Sequence, residues 1–62
     1  MGEKSILSVA DVSELLQVSA STIYVMIRSN EIPHVKLRGR YLFERESLIT
    51  WLRENVKQPI EN

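Results

Sequence analysis

Cysteine is missing from all 62 residues, which excludes a disulfide framework and a thiolate metal site and fits a reducing compartment. Long apolar runs are missing as well. Nothing approaches the roughly 20 residues of a membrane span or the core of a signal peptide. The Met1-Gly2 start matches a myristoylation signal, but Ile6 stands where that signal needs serine or threonine. A soluble, cytoplasmic protein is the expectation. Histidine occurs once, as His34 beside Pro33 with no obvious acid partner, and the serines and threonines lack the surroundings of a nucleophile motif. No enzyme activity, cofactor or metal is therefore expected. Nor is there a charge excess: eight basic and eight acidic residues give a formal net charge of zero, which argues against an indiscriminate polyanion binder.

Shortness is itself a constraint, because a chain of this size buries only about 60% of the surface it would expose unfolded. One domain over residues 1–62 is expected, with a core at 7–56 and short flexible ends at 1–5 and 58–62. The chain is organised around residues 9–29, VADVSELLQVSASTIYVMIRS, which reads as two short helices joined by a tight turn. Ser8 caps the first through the amide of Asp11, whose carboxylate reaches back in a capping box. Leu7 precedes the cap like a hydrophobic staple, and Ile6 and Leu7 are expected to fold against the core. Val9, Val12, Leu15 and Leu16 form one apolar stripe behind the cap.

Gln17, Val18 and Ser19 interrupt that pattern, and Ser19 is a second cap. The helix over residues 20–29 then buries Ile23, Met26 and Ile27, leaving Ser21, Thr22, Tyr24, Val25 and Arg28 on its other face. Two such helices joined by a three- or four-residue turn make a helix-turn-helix, whose second helix can enter the DNA major groove. An ordinary helical corner in a small core fits the same residues. Asn30 suits a left-handed terminator, and Pro33 forbids helical continuation.

The period changes in HVKLRGRYLFE, residues 34–44, which alternates about Gly39 and reads as a β-hairpin. A loop of Arg38, Gly39 and Arg40 would set Leu37 opposite Tyr41 and Val35 opposite Phe43, collecting four apolar side chains on one face. This is the preferred register. A loop of Gly39 and Arg40 alone would face Leu37 with Leu42 and leave Phe43 beside Lys36. Either way the tip carries two arginines around a glycine, which suits a wing that grips phosphates or a narrow minor groove, and suits equally a soluble turn. The last helix, residues 45–56, puts Leu48, Trp51, Leu52 and Val56 on one stripe, with the Trp51 indole as the largest piece of the core rather than a base-stacking platform. Gln58-Pro59 closes it.

Charge follows the same division. Residues 1–18 hold Lys4 against Glu3, Asp11 and Glu14, whereas residues 19–45 hold Arg28, Lys36, Arg38, Arg40 and Arg45 against Glu31 and Glu44. Positive charge thus gathers on the second helix and the hairpin, a footprint that could face phosphates. The fold class is mainly α with a β-hairpin, a small winged helix-turn-helix in the order α-α-β-β-α.

The stretch LSVADVSELLQVSASTIYVMIRSNEIPHVKLRGRYLFERESLITWL, residues 7–52, resembles the excisionase-type, MerR-like family of small winged helix-turn-helix DNA-binding domains. The resemblance lies in the order and spacing of the capped "VADVSELLQVS", the "STIY" opening, "IRSNEIP", the Gly-Arg hairpin and the closing "ESLITWL". It implies double-stranded DNA as partner, with Ser21, Thr22, Val25 and Arg28 facing the major groove and Tyr24 near a phosphate. Lys36, Arg38, Gly39 and Arg40 would make the wing contact. Ala20 and Ser21 stand where relatives often carry arginine or lysine, which leaves direct guanine readout largely to Arg28. The resemblance further implies an excisionase, bending DNA at repeated sites and directing an integrase in a prokaryote or mobile element. A small transcriptional regulator is the alternative within the family. A protein-interaction module using the same helix surface is the alternative outside it.

Overall fold

The structure is a computed structural model that describes residues 4–56. Its elements follow the order β1 (Ile6–Ser8), α1 (Val9–Leu16), α2 (Ala20–Arg28), β2 (Val35–Leu37), β3 (Arg40–Glu44) and α3 (Arg45–Glu54). Three helices and a small antiparallel sheet of order β1-β3-β2 make a winged helix-turn-helix. The strand β1 is an addition to the expected order. It is only three residues long, too short for alternation to show in the sequence, yet it pairs Ile6, Leu7 and Ser8 with Glu44, Phe43 and Leu42.

The capping box is present. Ser8 Oγ accepts from the Asp11 amide at 3.1 Å, Asp11 Oδ2 accepts from the Ser8 amide at 3.0 Å, and Lys4 Nζ approaches the same oxygen at 3.3 Å. The Ser8 amide, with the Lys4 contact adding to it, holds the Asp11 carboxyl below its ordinary pKa despite partial desolvation. A carboxylate depressed in the folded state stabilises above its unfolded pKa, and that contribution disappears as pH falls through the folded value. Asp11→Asn is therefore expected to lower the melting temperature at neutral pH and to flatten the acid limb of its pH dependence. An unchanged acid limb would remove Asp11 from this role.

Both helix ends in the turn region close by backbone geometry. Gln17 is left-handed at φ 59°, with its amide donating to Glu14 and that of Val18 to Ser13. Asn30 is left-handed at φ 60°, as expected, with its amide donating to Ile27 and that of Glu31 to Met26. Each is a Schellman closure, which satisfies carbonyls the helix would otherwise orphan. Ser13 Oγ adds a bond to the Val18 carbonyl at 2.6 Å, so the turn between the helices is pinned from α1. At the second cap Ser19 Oγ accepts from the Thr22 amide at 3.1 Å. Glu44 caps α3 through Oε1, which accepts from the Ser47 amide and hydroxyl.

Leu7, Val12, Ile23, Ile27, Ile32, Phe43 and Leu48 form the buried core, with Val9, Leu16, Met26, Tyr41 and Trp51 packed against it. Four expectations need correction. Phe43, not Trp51, is the largest fully buried side chain, because the central strand is covered where α3 leaves its indole partly open. Leu15 is exposed, because it falls at the edge of its stripe. Ile6 is exposed because strand alternation turns it away from Leu7. Val56 is exposed because α3 stops at Glu54, where the Asn55 side-chain amide donates to the Trp51 carbonyl at 2.9 Å. The Gln58-Pro59 stop lies outside the described residues.

Neither hairpin register expected above is the observed one. Val35 pairs with Leu42, Lys36 with Tyr41 and Leu37 with Arg40, so the loop is the two residues Arg38 and Gly39. Both have positive φ, 51° and 77°, the signature of the type I′ turn whose twist matches that of the strands it joins. A shift of one residue flips side chains between faces. Val35 and Leu37 thereby leave the core face, and Tyr41 and Phe43 keep it with Lys36.

Candidate nucleic-acid interface

The helical period places Tyr24, Arg28, Ser21, Val25 and Thr22 in sequence around one arc of α2, and all five are exposed. The opposite arc carries the buried Ile23 and Ile27 with Met26 beside them. The anchored face is thus rigid and the free face is continuous. At about 1.5 Å per residue, nine residues give an exposed ridge on the scale of the roughly 12 Å major groove. Thr22 is engaged at the cap, its Oγ1 lying 3.0 Å from Ser19 Oγ.

Tyr41, which the sequence reading did not single out, ties this helix to the hairpin. Its ring meets Tyr24 edge-on with centroids 6.1 Å apart, meets His34 edge-on at 5.7 Å, and lies 5.6 Å under the Lys36 ammonium. Such contacts contribute about 0.5–1.5 kcal/mol each. His34 is itself fixed, its Nδ1 donating to the Ile32 carbonyl at 2.8 Å. The one available signal was Tyr41 lying beside the hairpin tip, and the register needed to use it was the part misread.

The wing residues divide. Lys36 lies on the hairpin face that carries Tyr41, Arg38 and Gly39 form the turn, and Arg40 lies beside Leu37 on the opposite face. Arg38 and Arg40 are both exposed. Gly39 has open space where a Cβ would stand, so φ alone demands glycine there. Arg38 is less at ease, because its Cβ crowds the following carbonyl in the left-handed region at a cost of about 1–2 kcal/mol, and asparagine is the usual occupant. Arg38→Asn is accordingly expected to stabilise the domain while weakening DNA binding and reducing the salt slope by about 1. Thermal unfolding and a salt-titrated mobility shift read the two effects. Undiminished binding would remove Arg38 from the interface.

Electrostatics oppose this side of the molecule to another. An open groove of about 740 Å³ between the 30–34 loop and α3 is lined by Glu31, Glu46 and Glu54 together with Trp51, and among the described residues by no lysine or arginine. Phosphates would be repelled there. None of the nine expected DNA-contacting residues lines it. Among the described residues no group of histidine, cysteine and carboxylate side chains could hold a metal ion. No helix among them is long and apolar enough to cross a membrane.

Comparison with known families matches residues 6–56 to the helix-turn-helix domain family. Neither the curated proteins nor the solved structures compared with the chain gave a match. The matched span contains both helices of the pair, the wing and α3. The chain thus belongs to the helix-turn-helix domain family and is a DNA-binding helix-turn-helix protein.

Proposed function

We propose that this chain is a non-enzymatic, sequence-selective architectural DNA-binding protein of the excisionase kind, occupying repeated sites and acting with an integrase. The observation that carries the DNA-binding geometry is the Tyr24–Tyr41 contact, which fixes the exposed arc of α2 against the wing. Arg28 reads a guanine edge, Val25 meets a thymine methyl, and Ser21 and Thr22 make shorter polar contacts in the major groove. Tyr24, Lys36 and the Arg38-Gly39 tip grip the adjacent backbone and minor groove. Few cations are available for phosphates, so affinity for one isolated site is modest and neighbouring sites are filled cooperatively. Resemblance to excisionase-type domains supports the recombination role.

Selection from a random duplex pool, followed by titration of the enriched sequence, tests the reading. A defined motif and a salt-dependent affinity are expected. Stimulation of excision by an integrase would support the architectural role. Promoter repression without such stimulation would assign the chain to transcriptional regulators instead, and no enrichment by the folded protein would overturn DNA binding.

A further inference from the structure

The observed register sorts the sheet into two faces. Leu7, Phe43, Tyr41 and Lys36 share the inner one, and Ile6, Val35, Leu37 and Leu42 share the outer one with Ser8, Arg40 and Glu44. Ile6, Val35 and Leu37 are 51%, 53% and 55% exposed, so no described element covers them. A contiguous aliphatic surface of this kind marks a contact in a way that scattered exposed side chains do not.

Its charges indicate the occupant. Along β3 the outward side chains run Arg40, Leu42, Glu44: cation, aliphatic, anion at equal spacing. Turned end for end, that series is its own complement. A two-fold axis through Leu42 would bring each Arg40 opposite the other copy's Glu44, with Leu42 against Leu42 and Val35, Leu37 and Ile6 closing around them. We propose that the outer face of the sheet is a two-fold docking surface for a second copy of this chain. Aligned sheets pack about 10 Å apart, a gap that an arginine and a glutamate reaching towards each other can span. Glu44 is held in place by Oε1 at the α3 cap, and among the described residues Arg40 takes part in no ion pair. An unrelated partner would need a separately matched patch, whereas an isologous contact needs only this one.

Area limits its strength. A stable pair buries about 800 Å² per partner, more than four aliphatic side chains already partly covered can supply. The contact is therefore weak between free molecules and forms where DNA holds two copies at an effective concentration in the millimolar range. It makes the repeated sites inverted, since a two-fold pair reads two-fold DNA. This use on DNA rests on the DNA-binding reading; the contact itself does not.

Charge-swapped copies test the contact without DNA, by sedimentation equilibrium of the full chain up to about 1 mM, a concentration that reads weak association. The normal chain is expected to self-associate, and R40E and E44R, each checked for folding by circular dichroism, to lose at least tenfold. Their equimolar mixture is expected to recover, because both contacts between the two variants join opposite charges. A monomeric normal chain, or a mixture no better than its components, would overturn the proposal. Ile6→Thr/Val35→Thr/Leu37→Thr adds no charge and keeps residues suited to strands. It should retain single-site affinity and lose cooperativity on a duplex with inverted sites; retained cooperativity would count against the proposal. Failure of the normal chain to bind any duplex would defeat the DNA-binding reading alone, leaving the mixture to decide the contact.

Discussion

Phe43→Ala is expected to destabilise the domain by about 3–5 kcal/mol, the usual cost of emptying a buried aromatic site. A domain of this size has a total stability of roughly 3–9 kcal/mol, so the variant should be partly or wholly unfolded at physiological temperature. The reason is position as much as size. Phe43 is fully buried on the central strand, faces Leu7 across β1, and belongs to the same cluster as Ile23, Ile27 and Leu48 of the flanking helices. Among the described residues no further layer lies behind it to collapse into the space. Urea unfolding followed by Trp51 fluorescence measures the effect. A loss below about 1 kcal/mol would show that the core closes around the gap, contrary to the usual cost of a cavity.

Arg28→Ala should produce the largest loss of recognition. Arg28 is the only cation on α2 and lies on the exposed arc with Ser21 and Val25. A bidentate contact to a guanine contributes about 1–3 kcal/mol of discrimination, so affinity for the selected site should fall roughly 10- to 100-fold. Preference at one base position should relax with it. Lys36→Ala, by contrast, removes a backbone contact and should weaken all sequences alike while lowering the salt slope by about 1. Competition titrations against single-base variants of the site separate the two patterns. Equal losses on all variants for Arg28→Ala would demote it from base reader to phosphate contact.

The three helices were legible because each repeats an apolar spacing, the first two behind a cap; the Glu44 cap of α3 was not read from the sequence. Ser8 with Asp11 and Ser19 with Thr22 mark starts that the structure reproduces atom by atom. The exposed arc of α2 was legible for the same reason. The hairpin was legible only in outline. Its register turned on whether Arg38 would accept a left-handed backbone, and residue preference argues against that for arginine. One residue of slip then exchanged the inner and outer partners of Lys36, Val35 and Leu37. That error concealed both Tyr41 as the hub of the site and the aliphatic outer face. The Ile6–Ser8 strand was hidden for a different cause, since its partner, β3, follows only after the helix pair and the first strand of the hairpin.

That pairing has a kinetic consequence. The hairpin closes over a two-residue turn and the helices form locally, whereas joining Leu7 to Phe43 must close a loop that runs through α1, α2 and β2. Loop closure costs entropy before its contacts form, so β1 docks late, after the barrier set by the meeting of the hairpin and α2 has been crossed. Leu7→Ala should therefore quicken unfolding far more than it slows folding, a low φ-value in a chevron experiment. Tension applied through the amino terminus would peel β1 from the sheet first, leaving the recognition helix and its wing together.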